Sequence, residues 1–196
     1  MSAFDLDAFA PPLRIPRLSC PPVVLRAYDD SDVALVREAS ADPLITSISS
    51  VPADYSAALG RDFVQRQRAH ATAGDGYSFV IAPEAAPDDG VGSIGLWLQE
   101  IPSGRASVGY WLVAGARGKG LASRALRAVV EFGFAQLGIP RLHLYIEPWN
   151  VASARTAEAA GFRREATLRG WERIEGEQHD ADCYALLRRD WTPRGS

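Results

Sequence analysis

The chain has 196 residues, 47% of them apolar and 23% charged, which suffices for one well-filled domain and leaves little for a second. Its net charge of -3 argues against a nucleic-acid partner, which needs a basic surface. No apolar run approaches the ~18 residues of a membrane span, and Asp5 and Asp7 stand where a signal peptide carries bases, so the expected setting is cytoplasmic with no membrane partner.

Residues 1–22, with Pro11, Pro12 and Pro16, read as a proline-rich arm, laid on the domain or partly loose, and residues 23–196 as a single domain. Val23 to Tyr28 reads as a first strand. Asp29-Asp30-Ser31 then caps a helix that Pro43 stops, and Leu44 to Pro52 reads as irregular. A second helix is expected from Asp54 to Ala73. Three strands follow, Tyr77–Ala82, Val91–Leu98 and Val108–Val113, with turns at Glu84–Gly90 and Ser103-Gly104, and their spacing predicts an antiparallel meander. After the glycine-rich segment Gly115–Gly120, apolar residues recur at helical spacing from Leu121 to Leu137. A fifth strand, Arg141–Glu147, ends at Pro148, and a short helix covers Ala152 to Ala160 with Gly161 in the C-cap place. Phe162–Glu175 and Gln178–Leu187, joined at Gly176, read as a long closing hairpin. The expected class is α+β, a mixed sheet with helices on both faces.

Strand, glycine-rich turn and helix, in that order, aim backbone N–H groups and a positive helix end at an anion, most simply a cofactor phosphate. A magnesium-dependent P-loop fails here, because Val113 stands in place of its first glycine and Gly120 in place of its hydroxyl residue. The dinucleotide fingerprint lacks its third glycine at Ser123, and a meander precedes it. The remaining pattern, [QR]-x-x-G-x-[GA], is met by Arg117-Gly118-Lys119-Gly120-Leu121-Ala122. Cys20 and Cys183 lie far apart and read as free thiols, and no pair among His70, His143 and His179 has metal-ligand spacing, so no metal is expected.

Around that loop stand Val108-Gly-Tyr-Trp-Leu, Asn150-Val-Ala-Ser153, Gly161-Phe162-x-x-Glu165 and His179-Asp180-x-x-x-Tyr184. In this order the motifs resemble the GNAT N-acetyltransferases, in the Rim-type branch that acetylates ribosomal-protein N-termini, from about Leu25 to Trp191. The resemblance implies a mostly antiparallel sheet whose fourth and fifth strands are parallel and splayed. It also implies acetyl-CoA as co-substrate, a primary amine as acceptor (a protein N-terminal α-amine or a small molecule), and allows a homodimer. The implied cofactor-binding residues are Leu112, Val113, Arg117, Gly118, Lys119, Gly120, Leu121, Ala122, Asn150 and Ser153, with the thioester carbonyl met by a backbone N–H near Leu112 or Val113. Glu172, nineteen residues after Ser153, is implied as the base, ahead of Glu165 and Glu100, and Ser153 as the group facing the sulfur. Asn150 is equally a favoured helix cap, Tyr184 a core aromatic, and His179-Asp180 a structural pair. Trp97, Trp111 and Trp171, if they cluster to line the acceptor groove, would favour an apolar or aromatic acceptor, and packing is the equal alternative. A non-catalytic acyl-CoA binding module and an NAD-dependent oxidoreductase are the competing readings.

Overall fold

The computed structural model describes residues 4–174 and 176–193; Glu175 and the last three residues of the expected domain lie outside them. Eight strands form one sheet in the order β1-β2-β3-β4-β5-β6-β8-β7. They are β1 (Leu18–Cys20), β2 (Val23–Arg26), β3 (Gly76–Pro83), β4 (Gly92–Trp97), β5 (Arg105–Leu112), β6 (Arg141–Ile146), β7 (Arg163–Ile174) and β8 (Glu177–Leu187). Every pair is antiparallel except β5–β6, so the mixed, mostly antiparallel α+β architecture is the one expected.

Among the described residues five α-helices complete it: α1 (Val33–Ser40), α2 (Pro43–Ile48), α3 (Ala57–Ala73), α4 (Leu121–Glu131) and α5 (Val151–Ala159). Alternation along β3 shows how they are layered. The Ser78 hydroxyl donates to Gln67 Oε1 of α3 at 2.6 Å. Its neighbours Tyr77 and Phe79 point the other way and meet the Phe132 ring just beyond α4, at 5.0 and 6.2 Å. The sheet therefore carries α3 on one face and α4 on the other, and a core of Leu25, Ile81, Ile94, Leu96, Leu126 and Leu142 fills the α4 side.

Two stretches differ from the sequence expectation, and the proline-rich arm takes the first of its two alternatives, laid on the domain. Leu18–Cys20, inside the proline-rich arm, pairs with Val23–Leu25, and Phe9, Leu13 and Leu18 are buried in the core cluster. The stretch expected to be irregular after Pro43 forms α2. Asp42 accepts from Leu44 N–H at 3.0 Å and Pro43 occupies the first turn, where its missing N–H costs nothing. The proline opens that helix as much as it ends α1. The long helix expected to Leu137 stops being α-helical at Glu131 and continues as one π-helical turn, Phe132–Gln136, which buries Phe132 and Phe134.

The arrangement that matters for function is the one parallel pair. β5 and β6 pair only over Arg105–Ser107 against Arg141–His143. β5 then runs on to Leu112 and β6 to Ile146 with no pairing between them. The strands splay into a V, closed at Ser107–His143 and open toward the glycine loop.

Candidate active site

Ladder polarity decides which backbone groups face the V. Val113 N–H donates to Val91 O at 3.0 Å, across the β4 side. Antiparallel hydrogen bonding alternates, so Tyr110 and Leu112 direct their N–H groups to the opposite edge, where β6 has moved away. Of the two donors expected for a carbonyl, that of Val113 is spent within the sheet and that of Leu112 faces the gap. The Leu112 carbonyl accepts from Arg117 Nε at 3.0 Å, and Arg117 Nη2 reaches Asp42 Oδ2 at 2.5 Å. The Arg117 side chain therefore ties the end of β5 to the start of α2, a wall-building role its motif position did not reveal.

Gly118 and Gly120 have φ of 75° and 74°, the left-handed region that other residues adopt at a cost. A Cβ at either would meet nothing within 4 Å, so both face open space. Gly120 sits at the N-cap of α4, where no side chain caps the helix start. Lys119 is exposed between them, and Leu121 and Ala122 are half-buried at the first turn. The loop thus presents bare backbone and a positive helix end, as an anion cradle requires.

Across the V, Asn150 Oδ1 accepts from Ser153 N–H at 3.1 Å, so Asn150 is the N-cap of α5 and also borders the slot. Ser153 Oγ lies 2.8 Å from the hydroxyl of Tyr110, which also donates to Ser153 O at 3.1 Å. In the sequence Tyr110 belongs to a strand and to the Val108-Gly-Tyr-Trp-Leu motif, with no role of its own. Its place on the even side of β5, facing α5, was available from alternation; the open V that makes the position matter was not. Burial holds its phenol above the usual value, against the lowering effect of Ser153 and Thr156. Together with Leu44, Ile45, Leu112, Gly118 and Ala122 these groups enclose a slot of about 150 Å3.

Two further concavities lie on the α3 face. One, of about 350 Å3, adjoins the slot through Tyr110 and Trp111 and includes Trp97 and His70. The other, of about 1370 Å3, lies over β6, β8 and β7 and includes Trp171, whose ring is 5.0 Å from Tyr145. The three tryptophans therefore do not form one cluster: Trp97 and Trp111 share a cavity, and Trp171 belongs to another.

Glu172 follows Trp171 on β7, past an irregularity between Leu168 and Glu172, and is opposite His179. It is half-buried and lines none of these three concavities. Burial pushes its carboxyl up, and Glu147 adds to the rise. The rival acids are held the opposite way. Glu165 is gripped by Arg141 at 3.0 and 2.6 Å and Glu100 by Arg105 at 2.5 Å, and both lie below the usual range because of those hydrogen bonds. Asp180 accepts from Gly170 N–H at 2.8 Å, and Tyr184 is buried in the core. His143 is buried, with its pKa lowered by that burial, and its Nδ1 has no partner among the described residues.

The acetyltransferase (GNAT) domain model matches residues 23–163. An uncharacterized N-acetyltransferase, p20, from Bacillus licheniformis is 27% identical over 169 residues, covering 86% of this chain and 94% of its own. Among solved structures, Mycobacterium smegmatis RimJ in complex with CoA-disulfide superposes with a TM-score of 0.77 at 22% identity, over 90% of this chain and 88% of its own. The ribosomal-protein-S5-alanine acetyltransferase from Vibrio fischeri gives 0.74 at 18% identity, over 91% and 100%.

Proposed function

Since this chain belongs to the GNAT acetyltransferase family, we propose that it transfers an acetyl group directly from acetyl-CoA to a primary amine, with both bound at once on either side of the V. The observation that carries the reading is the V itself: unpaired β5 and β6, with the Tyr110–Ser153 hydrogen bond spanning it below the Gly118–Gly120 loop.

The residues fit the co-substrate. The bare backbone at Gly118 and Gly120, with the uncapped start of α4, suits a diphosphate without a metal. Acetyl-CoA, when bound, supplies the acetyl group as an activated thioester. Leu112 N–H, facing the gap, would donate to the carbonyl oxygen as charge gathers there. In this reading Ser153 faces the sulfur, with Tyr110, hydrogen-bonded to it at 2.8 Å, as a second hydroxyl able to pass a proton. Glu172 is the base in this reading, because desolvation and Glu147 raise its proton affinity. It lines none of the three cavities, so in this reading its contact with the amine proton runs through water.

The experiment is a thermal-shift panel of acetyl-CoA, CoA, NAD and ATP, followed by thiol release with a set of amines. Stabilisation by acetyl-CoA and CoA, with amine-dependent thiol release, is expected. Stabilisation by NAD or ATP but not by CoA would overturn the reading.

A further inference from the structure

The cavity beside the reaction slot has a floor built in an unusual way. Gly95 of β4 and Gly109 of β5 are register partners, so two bare backbone positions lie side by side on the α3 face. Trp97, two residues along β4 on the same face, folds its indole back across them. A Cβ on Gly95 would fall 2.4 Å from Trp97 Cζ2, whereas one on Gly109 would meet Nε1 at an ordinary contact distance of 3.7 Å. The missing side chain at Gly95 is what allows the ring to lie down along the sheet. His70, in the last turn of α3, packs against the same ring at 4.9 Å and 76° and holds it there. With the indole flat, space opens between the sheet and the segment following α2, giving the cavity of about 350 Å3, within the range that ligand sites occupy (about 300–1,000 Å3).

The lining sets the chemistry. Trp97, Trp111, Phe63 and Ile48 supply aromatic and aliphatic walls, Ser49, Ser50, Ser93, Gln99 and His70 supply polar ones, and among the described residues no Asp, Glu, Lys or Arg borders the cavity. Two of its polar side chains are buried, Ser93 and Gln67, and Gln67 accepts from Ser78 at 2.6 Å. The neighbouring concavity over β6 and β8 is the reverse, rimmed by Glu100, Arg105, Arg141 and Glu165. Tyr110 and Trp111 border both the uncharged cavity and the slot, so a group seated on Trp97 belongs to a molecule whose amine reaches the V.

We infer that this cavity is the acceptor's side-chain subsite and that it selects a primary amine bearing an uncharged planar ring, an arylalkylamine or a chain whose first residue is aromatic. The inference rests on the acetyltransferase reading above. An aromatic ring prefers offset or edge contacts with tryptophan, and an aliphatic group of similar length gains only its buried area.

The test compares kcat/KM by thiol release for phenethylamine against butylamine, and for a peptide beginning with Phe against one beginning with Ala. A preference of tenfold or more for the aromatic member of at least one pair is expected, and which pair shows it tells small amine from peptide. In Trp97→Ala that preference should fall to within twofold while the KM for acetyl-CoA is unchanged. Gly95→Ala, which forces the indole off its floor without removing it, should erode the preference in the same way and serves if Trp97→Ala does not fold. Equal rates for aromatic and aliphatic amines, or a preference that survives both substitutions, would overturn the subsite. Acetyl-CoA stabilising the protein while no amine of either kind turns over would overturn it as well. Absence of stabilisation by acetyl-CoA and CoA, with no turnover, would instead bring down the acetyltransferase reading on which it stands.

Discussion

Gly120→Ala tests the anion cradle most directly, because the structure separates its effect on folding from its effect on binding. At φ of 74° an alanine pays for its Cβ in the left-handed region, roughly 1–2 kcal/mol. No heavy atom lies within 4 Å of that Cβ, so no packing clash adds to the cost. For a chain of about this length each 1 kcal/mol shifts Tm by about 2–4 °C, so the ligand-free protein should melt about 2–8 °C lower. The new methyl group stands on the open side where a diphosphate would approach, and acetyl-CoA affinity should fall at least tenfold by calorimetry. The two effects compound in a melting experiment. At a hundred times the wild-type Kd, bound ligand adds about 2.7 kcal/mol, and tenfold weaker binding reduces that to about 1.4 kcal/mol. Gly120→Asn should divide them, since asparagine tolerates the left-handed conformation and still projects a side chain. Its ligand-free Tm should stay nearer that of wild type while its affinity falls as far as in the alanine variant. If Gly120→Ala bound acetyl-CoA with unchanged Kd, the loop would not be the diphosphate site.

Tyr110→Phe removes a hydroxyl bonded to Ser153 Oγ and O, at a cost of about 1 kcal/mol in denaturant unfolding; kcat should drop while the KM for acetyl-CoA stays within twofold. Glu172 must be ionised to accept a proton, so kcat/KM should be lost as pH falls through its raised pKa. Glu147→Gln, which removes one of the two causes of the rise, should move that limb to lower pH in the pH–rate profile. Glu172→Gln should abolish the limb and lower kcat about a hundredfold or more, and a profile unchanged in Glu172→Gln would disprove the assignment. Asp42→Asn keeps a helix-capping side chain but loses the charge that holds Arg117. With both groups partly exposed the stability cost should stay within about 1 kcal/mol, while loosening of the slot wall should raise the KM for acetyl-CoA.

Local chemistry made much of this legible in sequence. The glycine loop, the strand before it and the helix after it are set by neighbours in the chain, so pattern reading reached them. Asp42-Pro43 carried a legible signal too, an N-cap followed by a first-turn proline, and was read instead as a stop because the preceding helix pattern ended there. What sequence could not supply were relations between segments far apart. Tyr110 and Ser153 are 43 positions apart and meet only because β5 and β6 part after Ser107 and His143. Trp97, Trp111 and Trp171 share a residue type but sit in two different cavities, a consequence of strand order rather than composition. Glu172 sits at the expected nineteen-residue spacing from Ser153, yet that spacing says nothing of which cavity, if any, its carboxyl would enter.

The division of labour within β5 explains why one strand can serve two molecules at once. Side chains alternate along it, so Tyr110 and Leu112 look toward α4 and α5 and border the slot, while Gly109 looks toward α3 and the Trp97 floor. Its backbone alternates as well: odd residues bind β4 and hold the sheet closed, and even residues keep their N–H groups for the gap. A slip of one residue would exchange both sets together, sending the Tyr110 hydroxyl away from Ser153. The register of β4 on β5 is therefore as much a part of the site as any side chain in it. Gly95 marks that register, because a Cβ there would fall 2.4 Å from the Trp97 ring that lies across it beside Gly109.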